Sequence, residues 1–158
     1  AASDVYKRQG PRCADDYQAR ISGPLMDRID LQIEVPAVSA ADLVLPPARE
    51  GSAEVRARVA HARQRQRERF AALDAGKLRT NADCAGQSLE ETAMPEEAGV
   101  ALMRHAAESL GLSARGFHRT LRGARTLADL DDKDTVSRIH IAEALSSRGE
   151  TLKKRQAA

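Results

Sequence analysis

The sequence predicts a mainly helical fold in which one strand at the edge of an α/β core leads into a lid of four helices. Three observations predict it. Residues 29–35 alternate apolar Ile29, Leu31, Ile33 and Val35 with polar Asp30, Gln32 and Glu34, the period of a strand with one buried face. Downstream, apolar residues recur at the helical period in four stretches, and no good partner strand follows. Between two of those stretches stand a helix-ending Gly111 and a helix-starting Ser113.

A chain of 158 residues is long enough to bury a core and makes one domain or part of a larger one. Its net charge of +2 rules out a polycation, but the basic residues are mostly arginine and they cluster, so local patches matter more than the sum. A guanidinium meets phosphate or carboxylate with a planar fork where lysine offers a point charge. Cys13 and Cys84 have no CxxC pairing, so neither a disulfide framework nor a zinc site is argued, and a reducing cytosol fits. His61, His105, His118 and His140 lack ligand spacing, and no metal site is predicted. No apolar run spans a bilayer and no signal-peptide pattern appears, so the expected location is the cytoplasm.

Residues 1–9, AASDVYKRQ, share neither periodicity nor composition with the rest of the chain and read as a foreign, disordered junction. With no leading methionine, the chain is expected to be the C-terminal piece of something longer. From Tyr17 to Arg28 the pattern is helical until Ser22-Gly23-Pro24 interrupts it. The strand of residues 29–35 ends at Pro36. Its partner strands are expected upstream, because an isolated strand leaves backbone groups and an apolar face uncovered. Residues 37–50 form a linker rich in Pro and Ala, and the lid is expected over 51–148.

Ser52 caps a helix running to about Leu73, with a narrow apolar stripe of Val55, Val59, Ala62 and Phe70. Arg56, Arg58, Arg63, Arg65, Arg67 and Arg69 surround it. They either track a nucleic-acid backbone or simply keep an exposed helix soluble. Residues 74–95 read as irregular or partly helical, with Gly76, Gly86 and Pro95 as breakers. The next helix, about Glu96 to Leu110, buries Leu102, Met103, Ala106 and Leu110 and ends at Gly111.

Ser113 then starts the most informative helix. Arg115, Arg119 and Arg122 fall one turn apart on one face, while Phe117, Leu121, Ala124, Leu127 and Ala128 form the opposite, core-facing stripe. Like charges at that spacing repel by a few tenths of a kcal/mol per pair, so the row calls for an anion nearby, and phosphate is the usual candidate. Gly116 and Gly123 within it mark close approach by another backbone. After an acidic turn, Asp129 to Asp134, Thr135 or Ser137 starts a last helix with Ile139, Ile141, Ala142 and Leu145. Residues 149–158 are a polar tail expected to fray.

YQARISGPLMDRIDLQIEVP, LSARGFHRTLRGARTLADL and HIAEAL together resemble the C-terminal part of the magnesium-chelatase-like AAA+ ATPases of the YifB/ComM group. The resemblance covers about Gly10 to Arg148. It implies the terminal strand of a P-loop AAA+ α/β core, over residues 10–36, followed by a helical lid. In such rings ATP lies between subunits. Arg28 matches the arginine finger, which reaches the γ-phosphate bound by the neighbouring subunit, and a guanidinium so placed is worth about 10³ to 10⁵ in rate in other nucleotide hydrolases. The plainer reading pairs Arg28 with Asp27 or Asp30. Arg115 matches the sensor-2 arginine, which contacts ATP phosphate. Arg119, Arg122 and Arg125 either add phosphate contacts or bind acidic residues, Asp129 standing four residues after Arg125. Arg20, in the YxxR segment, is a possible second trans-acting arginine.

The family implication is a cytoplasmic ring hexamer that binds DNA and uses ATP with Mg²⁺ to drive branch migration in recombination and natural transformation. No GxxxxGK[ST] loop occurs, so the chain alone is expected not to hydrolyse ATP. At LSSRGE the family shows an aromatic before its last arginine where this chain has Ser147, which puts the packing of that end in question. Two other functions stay open: the motor subunit of a magnesium chelatase, and a non-enzymatic DNA-binding or interaction module using the helix of Arg56 to Arg69.

Overall fold

The computed structural model describes residues 20, 25, 28–33, 35, 37–40, 42–46, 49–73 and 77–148. The expected junction, the first helical stretch through Ser22-Gly23-Pro24 (apart from Arg20), Cys13, Asp27, Gly76 and the tail lie outside them.

Five helices make up the described fold: α1 (Ser52–Ala72), α2 (Gln87–Ala93), α3 (Glu97–Leu110), α4 (Ala114–Leu130) and α5 (Arg138–Ser146). Single 3₁₀ turns form at Asp42–Val44 and Asn81–Asp83. The central element is α4, which packs against α1, α2, α5 and the 3₁₀ turn at Asn81, while α3 lies on α5. Leu121, Ala124 and Ala128 of α4 are buried as its periodicity requires, and Phe117 and Leu127 pack on the core edge. Their partners include Phe70, Met103, Val136 and Ile141.

Local signals explain the boundaries. Gly111 ends α3 in the left-handed region at φ 59° and ψ 44°, where a side chain would be strained. The Ser113 hydroxyl accepts from the Gly116 amide at 3.0 Å and caps α4. At α1 the cap is Gly51, one residue before the expected Ser52, and the Glu54 carboxylate accepts its amide at 3.0 Å. Ser137 starts α5, its amide bonded to His140 Nδ1 at 3.0 Å. Gly123 lies where α5 crosses, so that a Cβ there would stand 3.6 Å from the Ala144 Cβ.

Several expectations are corrected. Residues 29–33 and 35 form no strand, and no strand occurs among the described residues; Ile33 and Val35 are 79% and 83% exposed. A strand needs a ladder partner, and the one β-bridge described joins Pro95 to Val136. The lid has five helices because α2 lies inside the stretch read as irregular or partly helical, where Leu89, Thr92 and Ala93 are buried. Val55 and Val59 are exposed, since only the second half of α1 reaches the core. On α5, Ile139 and Ala142 face out while His140, Ile141, Ala144 and Leu145 face in.

Candidate functional site

The structure divides the described arginines by what they hold. The deepest is Arg125 on α4, 2% exposed. It donates to the Asp129 carboxylate at 2.9 Å and to the carbonyls of Lys133 and Asp134, pinning the turn that leads into α5. Asp129 is also buried and accepts from Arg69 of α1 and from the Asn81 side chain, the latter at 2.8 Å. Burial pushes the Asp129 carboxyl up, but the bonds from Arg69 and Asn81 and the charge of Arg125 outweigh it and hold it below its ordinary value. Burial lowers the Arg125 guanidinium, and Asp129 opposes that. The i,i+4 pairing of Arg125 with Asp129 follows the sequence spacing. The contributions of Arg69 and Asn81 do not, because they arrive from other elements.

The acidic turn is used in the same way. Arg65 bridges Asp132 at 2.6 Å and Asp134, and His140 Nε2 stands 3.2 Å from Asp131. Arg58 forks onto Glu50. Three of the six α1 arginines therefore hold carboxylates of this chain. Of the others, Arg63 donates to Gln66 and Arg67 to Gln64. Their helical positions put Arg56, Arg63 and Arg67 on one shared face.

The α4 row behaves differently at each turn. Arg122 reaches back to the Cys84 carbonyl, Nε to O 2.8 Å. Cys84 itself is buried, and burial raises its thiol above the ordinary value, which suits packing better than reactivity. Arg119 donates to the Arg28 carbonyl and to the Asp30 carboxylate. That bond takes Asp30, one of the two acids the plainer reading of Arg28 would use; the other, Asp27, lies outside the described residues. The Arg28 guanidinium makes no hydrogen bond or ion pair with a described residue, although its amide is bonded to the Leu25 carbonyl at 3.0 Å. Arg115, in the first turn of α4, is likewise exposed with no described partner. Arg20 is exposed, and its neighbours at 21–24 lie outside the described residues.

Two further contacts seat the segment that carries Arg28. The Gln32 amide donates to the Ser147 carbonyl at 2.8 Å, and Arg148 Nη1 to the Ile29 carbonyl at 3.3 Å. The position at which an aromatic was expected thus serves through its backbone, and Arg148 beside it is 2% exposed. Nothing in the sequence pattern signalled these contacts, because each binds a main-chain atom over more than a hundred residues of separation. Among the described residues no group of three His, Cys, Asp or Glu side chains is placed to hold a metal. No helix there is long and apolar enough to cross a membrane.

The chain is similar to known proteins over nearly its whole length. A family model described as magnesium chelatase, subunit ChlI C-terminal, matches residues 49–148, and one described as magnesium chelatase, subunit ChlI, matches residues 2–43. The competence protein ComM of Haemophilus influenzae is 37% identical over 145 residues, covering 91% of this chain and 27% of that protein. The uncharacterized protein YifB of Escherichia coli is 34% identical over 150 residues, 90% of this chain and 28% of its own length. YifB of Salmonella typhimurium is 32% identical over 148 residues, with 90% and 28% covered. The chain therefore spans little more than a quarter of the length of these curated relatives.

Proposed function

The chain belongs to the magnesium chelatase ChlI family, its C-terminal region being matched over residues 49–148, and from that premise we propose that it supplies two arginines to an AAA+ ATPase of the ComM type. Arg28 acts in trans as the arginine finger. Arg115 acts as the sensor-2 group on ATP phosphate. The observation that carries the reading is the family motif around Arg28 and Arg115, matched over residues 2–43 and 49–148. Both side chains are exposed without a described partner, as that role requires, whereas Arg69, Arg125, Arg119 and Arg122 hold acceptors within the chain.

Those two side chains fit a triphosphate on chemical grounds. Phosphoryl transfer spreads charge over the γ-phosphate oxygens, and a guanidinium can donate to them bidentately. Mg²⁺, when bound to ATP, neutralises part of that developing charge. The loop that cradles phosphates has no GxxxxGK[ST] counterpart in these 158 residues, so the chain's contribution is binding and orientation by arginine. Its work in the ring hexamer is to drive a DNA motor, branch migration in recombination and natural transformation, in the cytoplasm. The likeness to a competence protein supports that substrate.

The family model's own description favours a second reading, the motor subunit of a magnesium chelatase. ATP turnover by the longer protein separates the two: stimulation by branched DNA supports the first, and stimulation by a porphyrin with partner subunits supports the second. Arg115→Ala tests the site itself. Weakened ATP binding or uncoupled turnover is expected, and normal affinity together with normal turnover would refute the assignment.

A further inference from the structure

We propose that Arg119 is a positioning residue that ties the arginine finger to the lid, so that Arg28 and Arg115 move as one body. The inference rests on the arginine-finger role of Arg28 and adds a role to a residue that the sequence leaves between phosphate contact and binding of acidic residues. Arg119 sits one turn after Arg115 on α4, about 6 Å along the axis, and one of its nitrogens donates both to the carbonyl of Arg28 and to the carboxylate of Asp30. Asp30 neutralises its charge. The Arg119 Nη1 is thereby committed to the Arg28 segment. It is well placed to fix where the Arg28 backbone stands.

The remaining contacts point the same way. The Ile29 carbonyl accepts from Arg148, and the Gln32 amide donates to the Ser147 carbonyl, so the residues after Arg28 are also held at the end of α5. Helices α4 and α5 pack on each other, Gly123 facing Ala144 across the crossing. The seat of Arg28 is thereby built from the lid. A change in lid angle felt at Arg115 carries Arg28 with it. That is a coupling between two arginines through one helix, with two defined endpoints.

The test uses the longer protein in its ring, with Arg119→Gln, Arg119→Lys and Arg28→Ala compared for ATP affinity, turnover and melting temperature. A misplacement of about 1 Å at a catalytic group can cost on the order of 10² in rate. Arg119→Gln is therefore expected to lower kcat about 100-fold with ATP affinity within about twofold of wild type. Arg119→Lys keeps one charged nitrogen able to donate to both acceptors, on a stem of different length and shape, and is expected to recover part of the rate. A loss of ATP affinity with kcat kept would make Arg119 a phosphate ligand and overturn the inference. So would Arg119→Gln turning over at the wild-type rate while Arg28→Ala is inactive. If Arg28→Ala itself turns over normally, the finger reading fails and this inference fails with it. If Arg119→Gln does not fold, Arg119→Lys decides by the same split between kcat and affinity.

Discussion

Replacing Asp129 by alanine is expected to be the most damaging polar change in the described fold. The carboxylate is fully buried and accepts from Arg69 and Arg125, whose side chains are 18% and 2% exposed. Without it Arg69 can turn toward water, but Arg125 cannot, and a buried cation is left with only the two carbonyls of the following turn. Removing one partner of a buried pair costs about 3–5 kcal/mol. For a domain of this size that corresponds to a fall in melting temperature of roughly 15 °C. Because the fold is helical, far-ultraviolet circular dichroism of the 158-residue chain reads the transition directly. Arg65→Ala is the control: its partners Asp132 and Asp134 are 64% and 95% exposed, and exposed pairs contribute at most about 1 kcal/mol. A fall for Asp129→Ala no larger than that for Arg65→Ala would refute the claim that this buried cluster holds α1, α4 and the acidic turn together.

The same carboxyl sets a pH dependence. Its pKa is depressed on folding, so its contribution is fully present above the unfolded value of about 3.9 and is lost as pH falls through the folded value. Urea midpoints should drop below about pH 4 in wild type and less steeply in Asp129→Asn; parallel curves would contradict this. Gly99→Ala would place a Cβ 2.7 Å from the Cβ of Pro95 and 3.5 Å from Ile141, and is expected to destabilise by about 1–3 kcal/mol despite alanine's better helix propensity. An unchanged melting temperature would show that the α3 end gives way freely. Ser113→Ala removes the α4 cap at about 1 kcal/mol, readable as faster amide exchange at Gly116; unaltered exchange would deny the cap its role.

What could be read from the sequence was what is decided locally. Gly111, Ser113 and the stripe of Leu121, Ala124 and Ala128 each act within a few residues, and they set the end of α3 and the start and packing face of α4 as expected. The short helix α2 offers too few residues for a period to emerge, and its burial comes from α4 beside it. The apolar stripe of α1 was a true pattern only half used: Ala62 and Phe70 are buried, but Val55 and Val59 lie beyond the reach of the core. For residues 29–35 the alternation is a statement about partner strands, and none pairs with them among the described residues.

The arginines show the limit most clearly. The spacing of Arg125 and Asp129 could be read directly, whereas Arg69 to Asp129, Arg65 to Asp134 and Arg119 to Asp30 join residues 60, 69 and 89 positions apart. A row of three arginines on one helical face therefore calls for an anion nearby without saying which acceptor each arginine meets. In the fold each turn of that row has a different duty, Arg115 open, Arg119 on the Arg28 segment, and Arg122 on Cys84.

The central claim is that Arg28 acts on ATP, and the most direct test is steady-state ATP turnover by the longer protein carrying Arg28→Ala, measured beside its ATP affinity. The account predicts turnover lower by about 10³-fold or more with binding largely intact, as expected of a group acting on the transition state. Turnover at the wild-type rate would contradict it.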